Sequence, residues 1–145
     1  MNNREFEKCL ARGKIKKFAR AKTLVSSELK LAGEDLLTAK DSFSDGNFKW
    51  ATIQSYYSMF HTAHALLYAK NYREKSHYCL IEAIRALYVS KGLLKFDFIE
   101  ALKLGKSLRE NADYYGDFSD EGTEEMIASA AGFLKTAKNI LRRKK

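Results

Sequence analysis

The chain has 145 residues, of which 46% are hydrophobic and none is proline, and it carries a formal net charge of +8 at pH 7. This length fits one domain with a sizeable core, so we expect residues 1–145 to form a single domain. No apolar run approaches the roughly 20 residues that cross a bilayer. The mixed, charged N-terminus, MNNREFEKCLARGKIKKF, excludes a secretory signal peptide. We therefore expect a protein of the cytoplasm with no membrane partner.

Apolar residues recur at helical spacing along nearly the whole chain. A first short helix is predicted over residues 3–12, and a second over 18–43. The second helix ends at a polar SDG segment, where Gly46 suits a left-handed cap. Asn47 then caps a third helix, which we extend to about Tyr72.

Three further helices are predicted in the second half. Ser76 caps a fourth helix, which Gly92 ends. Asp97, with Glu100 three residues later, resembles a capping box for a fifth helix, and a last helix begins near Thr123. No segment shows strand alternation between turns. The prediction is an all-α, antiparallel up-and-down bundle of five to six helices.

Three glycines lie inside predicted helices, where each costs about 1 kcal/mol relative to alanine. Close contacts between helices would explain them. They are Gly33, Gly105 and Gly132.

The two cysteines, Cys9 and Cys79, match no metal-ligand spacing. We interpret them as free, buried thiols in a reducing compartment. The sequence also has no Gly-rich phosphate loop and no nucleophile elbow, so we expect no cofactor.

Positive charge is concentrated at both ends of the chain. Residues 1–22 contain eight Lys or Arg against two Glu, and residues 135–145 contain six Lys or Arg and no acid. If the two ends lie close together, they form a surface that suits a polyanion such as RNA. The alternative is that they are two solvated helix ends that keep the protein soluble.

The segment YYSMFHTAHALLYA, residues 56–69, contains two histidines three residues apart. This spacing places His61 and His64 on one side of a helix, where they could ligate a metal. The surrounding alanines and aromatic residues favour packing or an interface instead. A third alternative is a site lined by His61 and Tyr57.

Two other segments are candidates for binding an anion. At the start of the fourth helix stand two cations, a hydroxyl and an imidazole: Arg73, Lys75, Ser76 and His77. Helix N-termini favour anions because their N–H groups are unpaired, although a polar connector with a serine cap explains the same residues.

The segment LRENADYY closes the fifth helix. Asp113 follows Arg109 by four residues, a spacing that allows an ion pair. Because an exposed pair of this kind contributes only a few tenths of a kcal/mol, we interpret Arg109, Asp113, Tyr114 and Tyr115 as a candidate grip for a phosphodiester.

In this order, the segments NFKWATIQSYYSMFHTAHALLYAKN, KSH and RENADY resemble the HEPN domain family over about residues 20–140. More narrowly, they resemble small stand-alone bacterial and archaeal HEPN proteins encoded beside a minimal nucleotidyltransferase. The resemblance implies a helical bundle that forms a homodimer, with its site in a cleft between protomers.

The resemblance implies one of two roles. Many HEPN proteins are metal-independent ribonucleases, often toxins, in which the Arg and His of an R-x4–6-H motif cooperate. The arginine holds the scissile phosphate, and the histidine moves a proton. Here Arg109 fits the motif, but residues 114–116 are Tyr, Tyr and Gly, so the motif lacks its histidine unless His77 or His61 reaches Arg109 through the fold.

The other role is an RNA- or nucleotide-binding partner of a nucleotidyltransferase in a toxin–antitoxin-like module. In some such pairs a HEPN tyrosine near the motif is adenylylated, and Tyr114 and Tyr115 occupy that region outside the family's R-x4-H-x-Y register. We favour this role, with a metal-independent endoribonuclease as the alternative and a structural helical adaptor as the second. The residues expected at the site are Arg109, Asp113, Tyr114 and His77 for catalysis, and Tyr57, His61, Lys75 and Ser76 for nucleotide or phosphate contacts.

Overall fold

The structure is a computed structural model that describes residues 3–111 and 118–143. The elements in this part of the chain are α1 (Arg4–Ala11), β1 (Ile15–Lys17), α2 (Val25–Ser44), α3 (Phe48–Tyr68), β2 (Tyr72–Glu74), α4 (His77–Ile84), α5 (Phe96–Glu110) and α6 (Asp120–Arg143). A 3-10 turn precedes α2, and a π-helical turn continues α4. The predicted all-α, HEPN-like bundle is confirmed.

Helix α3 is the centre of the bundle, because it packs against α2, α4, α5 and α6. Most of its residues are buried, as expected of a helix enclosed by others. The segment YYSMFHTAHALLYA forms most of it, and its core residues Met59, Ala63, Leu66 and Leu67 are fully buried. The packing expected of this segment is confirmed, and its expected role as an interface stays a prediction.

The two short strands were not predicted, and the sequence-based exclusion of strands is wrong at this point. Helix α3 ends at Tyr68 rather than Tyr72, and Asn71 adopts a left-handed conformation (φ 66°) that reverses the chain. Asparagine tolerates that conformation because its short side chain bonds locally. Strand β2 then pairs antiparallel with β1, with Lys16 opposite Arg73. Strands of three residues are too short to show alternation.

The predicted helix ends are partly right. Gly46 (φ 80°) and Gly92 (φ 73°) take left-handed conformations as expected, and the Ser76 hydroxyl accepts a hydrogen bond from the Cys79 N–H at 3.2 Å. The capping box at Asp97 is wrong, because the N-cap of α5 is two residues earlier and Asp97 lies in the first turn. The second helix also begins later than predicted, at the start of α2.

Cys9 and Cys79 form a disulfide in this structure, so the prediction of free thiols is wrong. Helix α1 packs against α4, which brings the two Cα atoms within 5.8 Å although 70 positions separate them in sequence. Spacing along the chain cannot reveal such a contact. The argument from free thiols to a reducing compartment therefore loses its support. None of the helices in the described residues is long and apolar enough to cross a membrane.

One of the helical glycines fixes the distance between two helices. A Cβ atom at Gly105 of α5 would lie 3.1 Å from the Cβ of Tyr56 on α3. Gly132 lies similarly close to Phe98, whereas Gly33 has open space around it. Close contact between helices thus explains two of the three glycines.

Candidate functional site

A groove of about 400 Å³ lies between the middle of α3, the start of α4 and the end of α5. It combines aromatic and cationic side chains from segments that are far apart in sequence. Its lining residues are Tyr56, Tyr57, Phe60, Glu74, Lys75, Ser76, His77, Lys106 and Arg109. A groove with aromatic walls and several cations can hold a phosphate and a base together.

Arg109 is held at the edge of this groove by Tyr57. Its Nε atom donates a hydrogen bond of 2.7 Å to the Tyr57 hydroxyl, and its guanidinium carbon lies 5.3 Å from the centre of the Tyr57 ring. The side chain is exposed, yet its orientation is set by the phenol. The guanidinium makes no other hydrogen bond to the described residues, so its terminal nitrogens remain available to an anion.

His77 enters the same groove from the start of α4. Its Nε2 lies 3.0 Å from the hydroxyl of Tyr56, and its ring is parallel to that of Phe60, with 5.9 Å between the ring centres. Burial, with a smaller contribution from the positive charge of Lys106, lowers the pKa of His77 to about 4. The imidazole is therefore neutral at pH 7.

The tyrosine beside it remains protonated. Burial raises the pKa of Tyr56 to about 12. Either tautomer of the neutral imidazole satisfies the hydrogen bond: the Tyr56 hydroxyl donates to Nε2 when Nδ1 carries the ring proton, and accepts from it when Nε2 does. This pair holds the imidazole in one orientation.

The net charge of the groove is positive. Lys75, Lys106 and Arg109 contribute cations, and the hydroxyl of Ser76 caps α4. Lys106 forms an ion pair of 2.9 Å with Glu110. Glu74 is the carboxylate that lines the groove. It accepts a hydrogen bond of 2.6 Å from Nε2 of His64 and is therefore already paired.

His61 and His64 belong to a neighbouring cluster rather than to the groove. The Nδ1 of His61 lies 3.3 Å from Glu28 and its Nε2 3.6 Å from Asp35, while His64 contacts Glu74. This cluster ties α2 and β2 to α3. Among the described residues, no three His, Cys, Asp or Glu side chains are arranged to hold a metal ion.

The structure brings together five of the residues expected at the site: Tyr57, Lys75, Ser76, His77 and Arg109. Asp113, Tyr114 and Tyr115 lie outside the described residues. Sequence reasoning missed Tyr56, Phe60, Glu74 and Lys106. Helical spacing from Tyr57 and Arg109 was the available signal, since Phe60 and Lys106 each lie three residues from one of them.

The fold agrees with two comparisons with known proteins. The family model for the HEPN domain matches residues 25–143. The chain therefore belongs to the HEPN family, and the resemblance inferred from its motifs is confirmed. A relative from Methanocaldococcus jannaschii, named "Putative toxin MJ0605", is 29% identical over 119 residues, which cover 81% of this chain and 89% of that protein.

Proposed function

We propose that this chain is a toxin-like HEPN protein that binds RNA or a nucleotide in the groove around Arg109 and works with a nucleotidyltransferase in a toxin–antitoxin-like module. Its family membership and the name of its relative support the toxin-like part of the proposal. The groove supports the binding part. The nucleotidyltransferase partner rests on the resemblance to small stand-alone HEPN proteins.

The observation that carries the proposal is the meeting of Arg109 and His77 in one groove. They are 32 positions apart in the sequence and lie on two different helices, His77 at the start of α4 and Arg109 near the end of α5. A guanidinium presents its N–H donors in a planar fork that matches two oxygens of a phosphate. The adjacent rings of Tyr57 and Phe60 offer faces against which a base can stack.

Cleavage of RNA is a second candidate, and one specific observation favours it. His77 lines the same groove as Arg109, where the histidine that the R-x4–6-H motif lacks in sequence would act. A pKa of about 4, however, makes its imidazole a weak general base at neutral pH. An anionic phosphate beside the ring would raise that pKa by favouring the charged form. Binding therefore remains the function that the geometry supports best.

One experiment separates binding from cleavage. Labelled RNA is incubated with the wild-type protein in EDTA, which removes divalent metal ions, beside the variants Arg109→Ala and His77→Gln. Lys40→Ala, which removes an exposed lysine of α2 outside the groove and outside both basic ends of the chain, is the matched control. Stable binding without cleavage, lost in Arg109→Ala and retained in the control, supports the proposal. Cleavage that both groove variants abolish identifies the protein as a ribonuclease, and absence of both activities overturns the proposal.

The partners can be tested separately. We expect a homodimer, which light scattering coupled to gel filtration would report as twice the mass of the chain. We also expect a small nucleotidyltransferase to be encoded in an adjacent reading frame and to co-purify with this chain. A monomer, or neighbouring genes without such an enzyme, contradicts the corresponding part of the proposal.

A further inference from the structure

A strongly charged surface lies next to the groove, on the two-stranded sheet. Strands β1 and β2 and their immediate neighbours expose four cationic side chains on one face, which we call the basic ribbon: Lys14, Lys16, Arg73 and Lys75. The pairing of the strands places Lys16 directly opposite Arg73. The backbone N–H of Lys75 donates to the carbonyl of Lys14 at 2.8 Å, which extends the ladder by one bond.

The basic ribbon is unfavourable for the stability of the sheet. Like charges directly opposite each other on two strands repel, whereas opposite charges would attract. The pKa of Lys75 is lowered, first by a side-chain hydrogen bond with Lys16 and then by the positive charge of Lys16, with smaller contributions from burial and from the charges of Arg73 and Lys14. A sequence that breaks a local rule in this way points to a use other than folding.

No carboxylate of the described residues neutralises the ribbon. Glu74, the acidic residue of β2, points the other way and is occupied by His64 at 2.6 Å. None of the four cations takes part in an ion pair with a described residue. Arg73 is held in place by the ring of Phe18, whose centre lies 5.2 Å from the guanidinium carbon. Arg73 is therefore fixed in place, and no described carboxylate pairs with any of the four cations.

The ribbon and the groove form one continuous surface, because Lys75 belongs to both. Strand β1 precedes residues 25–143, where the family match lies, whereas β2 lies within it. The α1–α4 disulfide and the buried side chain of Ile15 hold the segment that contains β1 against the bundle.

We propose that the basic ribbon binds the backbone of a single-stranded RNA whose phosphodiester lies in the groove at Arg109. This inference rests on the proposed function and deepens it, because it assigns the ligand as an oligonucleotide rather than a mononucleotide. Successive side chains on the same face of a strand are about 6.6 Å apart, so the ribbon presents cations at intervals along a path that leaves the groove. The aromatic walls of the groove suit the unstacked bases of a single strand better than a duplex.

The test compares two ligands and two sets of substitutions. The ribbon variant carries Lys14→Gln, Lys16→Gln and Arg73→Gln, and leaves Lys75 in the groove unchanged. The control variant carries Lys30→Gln, Lys40→Gln and Lys91→Gln, three exposed lysines outside both surfaces. Both variants have the same net charge. The ligands are a dinucleotide with one phosphodiester and a 2′-O-methyl oligoribonucleotide of about twelve nucleotides, which matches the length that single-strand sites cover.

We expect the ribbon variant to bind the oligonucleotide about tenfold or more weakly at low salt, and the dinucleotide as well as the wild type does. Each phosphate contact on a single strand adds about 0.7 to the slope of log K against log salt. Three lost contacts should therefore reduce that slope by about 2, while the control variant keeps it. Thermal unfolding of both variants checks that they are folded.

Equal oligonucleotide affinity and equal salt slope in the wild type and the ribbon variant would overturn this inference and leave the groove proposal standing. Failure of the wild type to bind either ligand would overturn both. Release of the oligonucleotide by poly-aspartate as efficiently as by unlabelled RNA would show that the ribbon serves an acidic protein instead.

Discussion

The low pKa of His77 leads to a prediction about stability. The imidazole has a pKa of about 4 in the folded protein, against an ordinary value of 6.5. Because the folded state resists protonation, the unfolded state takes up the proton first as the pH falls. The stability that the neutral ring contributes is complete above pH 6.5 and is lost progressively as the pH falls from about 6.5 to about 4. The variant His77→Gln, which cannot titrate, should lack this loss.

The expected size follows from the two pKa values. Between pH 7 and pH 5, linkage gives a loss of about 1.8 kcal/mol for a fully enclosed group. The ring of His77 is only half-buried, so solvent screens part of this effect and we expect about 1 kcal/mol. Urea unfolding of the wild type and of His77→Gln at both pH values measures it, because other titrating groups contribute equally to both proteins.

Tyr56→Phe is the matched control, since it removes the hydrogen bond to Nε2 but keeps the titrating ring. This variant should retain most of the pH dependence. A direct readout is the NMR titration of the imidazole in the folded protein. A pKa of His77 near 6.5, or the same fall in stability in His77→Gln as in the wild type, would refute the reasoning.

Four other perturbations have definite expected outcomes. Tyr57→Phe removes the hydroxyl that orients Arg109, so the affinity for RNA should fall about fivefold, the equivalent of a hydrogen bond of about 1 kcal/mol, with little change in thermal stability. Gly33→Ala should stabilise the protein by about 0.5–1 kcal/mol because the site is open and helical. Gly105→Ala should destabilise it by about 1–3 kcal/mol, because the new methyl group meets a Cβ atom that cannot rotate away. Reduction of the α1–α4 disulfide should lower the free energy of unfolding by about 2–4 kcal/mol, as expected for a long closed loop.

Each of these has an outcome that contradicts it. RNA affinity unchanged in Tyr57→Phe would mean that Arg109 needs no help from the phenol. Equal unfolding midpoints for the two glycine variants would contradict the difference in packing between α2 and α5. Two alkylatable thiols in the unreduced, folded protein would show that the cysteines are not joined.

The sequence predicts the helices well because each has an independent local signal. Apolar spacing marks α3, and Ser76, Gly46 and Gly92 mark ends that the structure reproduces. The two strands could not be predicted, for a physical reason. Their pairing is stabilised by contacts between segments more than 50 residues apart, such as the burial of Ile15 against the core, and three residues carry too little pattern to reveal that.

The candidate site could also be predicted only in part. Local chemistry was sufficient to select Arg109 and His77 as candidates, because an arginine at a helix edge and an imidazole at a helix start are visible in sequence. That the two residues meet in one groove is not visible in sequence, because it depends on how closely α5 approaches α3 at Gly105. His61 looked equally suited to the site, but the carboxylates of α2 hold it elsewhere. No single-helix pattern contains that information.

The measurement that tests the central claim most directly is the dissociation constant of a non-cleavable 2′-O-methyl oligoribonucleotide for the wild type and for Arg109→Ala, determined side by side at the same salt concentration. If the groove grips a phosphodiester through this guanidinium, removal of one charge-assisted contact of about 1.5–3 kcal/mol should weaken binding by roughly tenfold to a hundredfold. Equal affinity in the two proteins, with both folded, would contradict the account.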